Sequence, residues 1–468
     1  MIKLEEILSK EIDKGWSEKE FNLMDLNDKR LDKRFKKVSE QISNKPQSPI
    51  NQACETAKDT KAAYRLFANN KVTEEKIFLS HQCLTLERIS KENLVLIIQD
   101  TSYLNFNSHK SKTGLGPIGN RCLQGLLMHS SLSITEAGLP LGLIDLKIWA
   151  RDTNKKRLGK KELEQTPITE KESNKWLNSL ENYMKLKPSG VRFITICDRE
   201  ADIYEFFNKA KDFDSEILVR AAQDRKLVGK DVGYLWEYLE KQDVKGKLEI
   251  TIPKTKERKE RKVLLEIKFA TVILNPPGHL TKKEKEKSGY ITIDAVLARE
   301  IKAPDDVEPL EWMLLTNVSV KTYEDAIERL NWYKRRWDIE VYHKVIKSGC
   351  KVEDCRLQSA DRLIPYITLC SIIAWRLFWI TKINRVSPDA PGTIILEEYE
   401  LEALYVKTHR KKLPEDSVPT VREVVRWIAQ LGGFLGRKGD KEPGITAIWR
   451  GWKELETISQ MWLIMKSL

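Results

Sequence analysis

Apolar residues recur in short runs through the middle of the chain and at helical spacing towards both ends. Residues 94–98, Leu-Val-Leu-Ile-Ile, form an apolar run of buried-strand length, and 101–106 behind it is again strand-like. Residues 125–134, 139–149, 191–197 and 216–220 read the same way. Strands alternating with helical stretches predict an α/β fold with a mixed sheet. Residues 248–252, 263–273 and 290–297 add three strands, joined by Lys-rich linkers and a Pro-Pro-Gly turn at 276–278. They predict a β-rich insertion at about 225–312. Residues 1–72 are helical in pattern and rich in charge. A Ser-Pro-Asp-Ala-Pro-Gly stretch at 387–392 introduces a second helical region, 386–468. The expected organisation is a helical part at 1–72, a sheet-bearing part at 73–385 and a helical part at 386–468.

Three carboxylates stand out against this pattern. Asp100 follows the 94–98 run after one polar residue, Gln99. Asp198 closes the 191–197 run, and Arg-Glu-Ala-Asp-Ile-Tyr-Glu-Phe-Phe after it reads as a helix start. Taken singly, a turn accounts for Asp100 and a helix N-cap for Asp198. The third acid is Glu340, in the stretch 333–347. Wound as one α-helix at roughly 100° per residue, that stretch puts Tyr333, Arg336, Glu340, Lys344 and Lys347 on one narrow arc. A phenol, one carboxylate and three cations then share a face, a pattern that suits a metal ligand beside a phosphate backbone. A solvated, salt-bridged face is the ordinary reading of such a helix. Two strand-borne acids elsewhere tip the balance. Carboxylate oxygens are hard ligands, and Mg²⁺ in phosphoryl-transfer sites is held by a few of them plus substrate phosphate. Two such ions about 3.5–4 Å apart activate the attacking oxygen and stabilise the leaving one.

Charge narrows the partner. The chain carries a net +12, with a pI near 9.1. That favours an anionic partner, and nucleic acid is the usual one. Arg30, Lys33, Arg34 and Lys37 share a helix face by their spacing, with Leu31, Phe35 and Val38 as an apolar stripe beside it. Such a helix suits DNA, with cations on phosphates or guanine edges. Arg220, just after Ile-Leu-Val, reaches either a phosphate or a surface carboxylate. Trp312 sits on a strand returning from the insertion, where an aromatic stacks on an unpaired base or packs in the core. His343 lies off the arc and reads as a minor DNA contact or a structural residue. Trp427, Trp449, Trp452 and Trp462 lie on amphipathic segments and mark an interface or packing onto the parent domain.

Other readings drop out. Seven cysteines lack disulfide-framework spacing, which points to a reducing cytoplasm. Cys350-x4-Cys355 has no nearby His or second Cys pair to complete a zinc site. The N-terminus lacks a signal-peptide pattern. The apolar run 366–380 is interrupted by Arg376 and reads as a buried helix, not a membrane span. Gly114-Leu-Gly-Pro-Ile-Gly119 lacks the Gly-Lys-Ser/Thr ending of a nucleotide-binding loop.

With these residues in place, the sequence resembles the DDE transposases of bacterial cut-and-paste insertion elements, in the hairpin-forming subgroup with a Tyr, Arg, Glu, Lys signature. Here the signature is Tyr333-x2-Arg336-x3-Glu340-x6-Lys347, complete and correctly spaced. Asp100 in Ile-Ile-Gln-Asp-Thr-Ser and Asp198 in Ile-Cys-Asp-Arg-Glu-Ala-Asp-Ile-Tyr match the family's other two acids. Residues 62–69, 138–145 and 431–438 are similar as well, so the resemblance spans nearly the whole chain.

The resemblance implies a ribonuclease H-like catalytic core over 73–385, with both aspartates on neighbouring central strands and an insertion where 225–312 lies. It implies that Asp100, Asp198 and Glu340 are catalytic and hold two Mg²⁺ ions, with Mn²⁺ as a substitute. Tyr333, Arg336 and Lys347 would grip phosphates, with Lys344 and Arg220 as further DNA contacts and Trp312 stacking on a base. Residues 1–72, with Arg30, Lys33 and Arg34, would recognise the element's terminal inverted repeat. Residues 386–468 would carry dimer contacts. The implied partners are double-stranded DNA, as terminal repeats and target, and a second copy of the chain, with no membrane. The expected activity is metal-dependent cleavage at the element's ends, through a hairpinned end, followed by strand transfer. Two alternatives stay open: a ribonuclease H-like nuclease that cuts without joining, and an inactive transposase-derived DNA-binding protein.

Overall fold

The computed structural model describes residues 15–119, 123–154, 159, 162, 165–229, 233–252, 260–278, 280–304 and 307–468. The N-terminal stretch 1–14 and the Lys-rich linker at 253–259 lie outside the described residues. The strands are β1 (Leu94–Asn105), β2 (Gly116–Ile118), β3 (Leu123–Thr135), β4 (Pro140–Trp149), β5 (Arg192–Cys197), β6 (Glu216–Arg220), β7 (Gly246–Ile252), β8 (Arg261–Leu274), β9 (Ile291–Glu300) and β10 (Glu311–Thr316). They bear out the apolar runs, with ends shifted by a few residues. The chain divides into two compact units.

One unit comprises Glu92–Asp100 and Lys155–Ile339. It is built on a large mixed sheet. The first half of β1 pairs with β5 and β5 with β6, both parallel. Beyond β6 the ladder turns antiparallel, through β10, β9, β8 and β7 in that order. Val95, Leu96, Ile97, Ile98, Ile194 and Ile196 are wholly buried, as the unbroken apolar runs require. In β7 exposed and covered positions alternate instead, the mark of a strand with one face in water.

The other unit comprises residues up to Lys91, Thr101–Asn154 and Glu340–Leu468. Its strands β2, β3 and β4 form an antiparallel set. Helices Glu74–Ile89 and Ala360–Val386 pack on β4. Ala360–Val386 is long and apolar enough to cross a membrane, yet 83% of its apolar window is buried in the protein. It is a core helix, as the interrupting Arg376 suggested. The Arg376 guanidinium lies over the Trp16 ring at 4.8 Å and the Trp452 ring at 5.0 Å, and donates to Ser43 Oγ at 2.8 Å. Trp449 and Trp452 are therefore interior, at 3% exposure each, and only Trp427 and Trp462 keep a half-exposed face. For the first two, packing onto the parent domain wins over an exposed stripe.

A buried polar network fastens the N-terminal helices in this unit. His81 Nδ1 lies 2.5 Å from Glu20 Oε1, and Arg88 Nη2 donates to Glu20 Oε2. The Leu143 N–H donates to His81 Nε2 at 2.9 Å. That nitrogen must be an acceptor, so the proton of a neutral His81 sits on Nδ1 and points at Glu20. Arg88 also donates to the Leu141 carbonyl and stacks on Trp375.

Candidate active site

Asp100 and Asp198 lie in the same unit, Asp100 on β1 and Asp198 just past the end of β5. The parallel register pairs Leu94 with Arg192 and ends with Ile98 against Ile196. Each acid stands two residues further on. Asp100 is not a turn residue: β1 runs unbroken from Leu94 to Asn105. Asp198 does cap a short 3₁₀ turn, Arg199–Ala201, accepting the Glu200 N–H at 2.8 Å. The N-cap role and the strand-end placement therefore coexist. Both acids are half-buried. Burial pushes the Asp198 carboxyl above its usual range, Glu200 adds to that, and Arg336 and Lys175 oppose it.

Tyr333, Arg220 and Trp312 gather in this unit too. Tyr333 is 2% exposed, and its hydroxyl has no well-formed hydrogen bond, although the Arg220 guanidinium lies beside it. Burial raises the phenol above its ordinary range, against Arg336 and Arg220. Burial lowers the Arg220 guanidinium, with Arg199 and Arg336 acting the same way and Tyr333 opposing. Arg220 donates to the Glu311 carbonyl at 2.8 Å, so neither a surface salt bridge nor full exposure describes it. Trp312 is 7% exposed and meets Tyr333 edge-on, ring centroids 5.6 Å apart. As it stands, Trp312 is a packing residue under Tyr333.

The single helix expected over 333–347 is not formed. Helix Tyr323–Lys334 ends with Arg335 and Arg336 in a tight turn, their N–H groups bonding to Trp332 and Tyr333 carbonyls at 3.0 Å. A new helix, Trp337–Lys344, follows, and then a π-helical turn, Val345–Gly349, closed by Cys350 N–H to Val345 O at 2.8 Å. Tightening at one point and widening at another changes the rotation per residue, so a uniform 100° step does not hold here. Around the break Trp332, Tyr333, Tyr342, Val345 and Ile346 are all buried. Arg336, Glu340 and Lys347 remain half-exposed and Lys344 exposed. Glu340 opens the chain segment that belongs to the other unit. His343, at 7% exposure, lies 3.4 Å from Ser130 Oγ of β3, which makes it structural. Among the described residues, no group of three or more His, Cys, Asp and Glu side chains is gathered as a ready ligand set.

The basic helix forms as expected. Asp28 caps Lys29–Asn44 by accepting the Arg30 N–H at 2.9 Å. Phe35, Val38 and Ile42 are buried, Leu31 is half-covered, and Arg30, Lys33 and Lys37 face solvent, with Arg34 half-exposed. Lys37 is tethered to Asp59 at 2.9 Å.

Comparison with known families bears on both ends of the chain. Residues 13–72 match the model of a transposase DNA-binding domain, and 372–462 match the transposase Tn5 dimerisation domain. The two ends of the chain are similar to a transposase DNA-binding domain and to the Tn5 transposase dimerisation domain. DNA is thus a partner of this chain, and it forms a homodimer. The basic helix falls inside the DNA-binding match, and the two buried tryptophans, Trp449 and Trp452, fall inside the dimerisation match. The three acids and the Tyr333–Lys347 stretch lie between the matched ranges.

Sequence reading missed Asp202 and Arg225 in the unit that holds Asp198. They form a buried pair at 2.6 Å beside the Asp198 turn. The signal was an acid four residues after Asp198, at the far end of a turn that Asp198 begins.

Proposed function

We propose that this chain is a DDE transposase that cleaves DNA at the ends of its own element and joins them to target DNA. The observation that carries the proposal is the matched register of Asp100 and Asp198 in a chain with transposase end domains. Asp100, Asp198 and Glu340 would hold Mg²⁺ or Mn²⁺. The donor chemistry fits: these are hard carboxylate oxygens, and Asp198 is held where burial makes its charge costly without a cation. When bound, such ions lower the cost of the charge that develops in an in-line displacement at phosphorus.

The chain's own residues supply positioning. Arg336 and Lys347 would neutralise phosphate oxygens near the scissile bond, and the buried Tyr333 hydroxyl would donate to one of them. Arg220 would hold the neighbouring phosphate while fixed by its bond to Glu311. The Lys29–Asn44 helix would lay Arg30, Lys33 and Arg34 against the terminal repeat. A nuclease that only cuts has no need of an end-binding domain joined to a dimerisation domain, which favours the transposase reading.

The test is an end-cleavage and strand-transfer assay on duplexes bearing the inverted repeats found by sequencing the DNA on either side of the coding sequence. Metal-dependent release of 3′-hydroxyl ends, then their covalent capture by a target plasmid, is the expected outcome. Cleavage without any joined product would favour the nuclease, and binding without cleavage the inactive relative.

A further inference from the structure

We propose that Asp202 is a positioning residue for Asp198, a carboxylate that locks the turn Asp198 begins to the loop after β6. The inference rests on the reading of Asp198 as a metal-holding acid.

Asp198 and Asp202 bracket one turn. Asp198 caps Arg199–Ala201 at its start, and the Asp202 N–H bonds to the Arg199 carbonyl at its end. The Asp202 side chain is fully buried, and that of Arg225 is 11% exposed. Asp202 Oδ1 accepts from Arg225 Nη2 at 2.6 Å and Nε at 3.1 Å, a fork on one oxygen. Its Oδ2 accepts the N–H groups of Ala222 and Gln223, each at 2.7 Å. Arg225 Nη2 also returns to the Asp202 carbonyl at 2.8 Å, and its guanidinium lies over the Phe207 ring at 5.6 Å. One carboxylate therefore collects four hydrogen bonds, all from residues 222–225.

Those residues follow β6 directly. β6 is the parallel neighbour of β5, with Cys197 against Val219. The clamp thus joins the two strand ends that carry Asp198 and Arg220. A buried ion pair is a poor device for stability, because desolvation offsets much of the attraction. It is a good device for fixing geometry, since charge-assisted bonds with fixed directions leave one arrangement. Partners that orient a metal-holding group typically cost about 10–100-fold in metal affinity or activity when removed.

The experiment uses the full chain and three variants: Asp202→Asn with Arg225→Gln, Arg225→Lys alone, and Asp198→Asn as reference. The paired change leaves no uncompensated buried charge, and Arg225→Lys keeps the charge while removing the fork. Four quantities are measured. They are the melting midpoint, Mn²⁺ affinity by calorimetry without DNA, Mn²⁺-dependent nicking of supercoiled plasmid, and plasmid retardation in gels. The paired variant is expected to melt within a few degrees of the parent and to bind plasmid equally well. It should lose roughly 10–100-fold in Mn²⁺ affinity and nicking rate. Arg225→Lys should fall in the same direction by less, and it decides the matter should the paired variant fail to fold. Parent-like Mn²⁺ affinity and nicking in a folded variant, beside an inactive Asp198→Asn, overturns the positioning role alone. Parent-like behaviour of Asp198→Asn overturns the reading of Asp198 itself.

Discussion

Asp100 on β1 and Asp198 just past the end of β5 each stand two residues beyond the Ile98–Ile196 pair of adjacent parallel strands. Neighbouring strands lie roughly 4.8 Å apart, so side chains at one level on the same face are close neighbours. Two carboxylates brought side by side repel unless a proton or a cation joins them, which is what the proposed metal role would supply here.

Replacing either acid, or Glu340, by its amide should abolish cleavage and spare DNA binding, because a neutral amide is a poor ligand for a hard divalent ion. The drop should exceed the roughly 10–100-fold that a mere orienting partner costs. Nicking and gel retardation on terminal-repeat duplexes measure the two separately. Near-normal cleavage by one amide variant removes that residue from the site.

Arg30→Ala and Arg34→Ala should weaken binding to terminal-repeat DNA. The exposed basic side of the capped Lys29–Asn44 helix motivates this. Taking a cation away from a phosphate should reduce the salt slope of binding by about one. Taking one away from a base edge should cost about 1–3 kcal/mol of sequence preference. Titrations at several salt concentrations separate the two. Unchanged affinity and slope would make the face merely solvated.

Acid should unfasten the N-terminal helices through Glu20. Burial by itself would raise this carboxyl, but Arg88 and His81 outweigh it and pull it from 4.5 down to about 2. The folded value lies below the unfolded one. The stabilisation is therefore present above pH 4.5 and is lost as pH falls from 4.5 towards 2. Glu20→Gln should destabilise the protein at about pH 6 by roughly 3–5 kcal/mol, since Arg88 is left without its buried partner. It should also flatten the acid limb of the melting profile. Parallel profiles for parent and variant would sever Glu20 from the acid response.

Dimer contacts should involve the exposed end of helix Ile445–Ser467. Met461, Ile464, Met465 and Leu468 are exposed at 59%, 55%, 62% and 101%, and their spacing puts them on one side. Deleting everything after about 390 would also remove the interior Trp449 and Trp452, so a surface change is the cleaner probe. Ile464→Asp with Met465→Asp should leave the melting midpoint nearly unchanged. Each removed side chain should weaken dimerisation by about 2 kcal/mol, roughly thirtyfold. Sedimentation at graded concentrations reads the shift, and an unaltered dimer constant would move the contacts elsewhere.

Local pattern alone made the strands and the basic helix legible. Alternation and apolar runs report how each short segment meets water, and that information is carried by neighbours in sequence. Tertiary structure decided what depends on distant partners. Pairing with β5 put Asp100 level with Asp198, and β1 continued through Asp100 where an isolated reading allowed a turn. The expected helix broke at Arg335–Arg336 and opened a π turn at Val345–Gly349, with Trp332, Tyr333, Tyr342, Val345 and Ile346 all buried. Trp312 went under Tyr333, and Trp449 and Trp452 went inside, because an aromatic's partner is not written in its own segment. Asp202 and Arg225 are 23 residues apart, and only the adjacency of β5 and β6 brings them together.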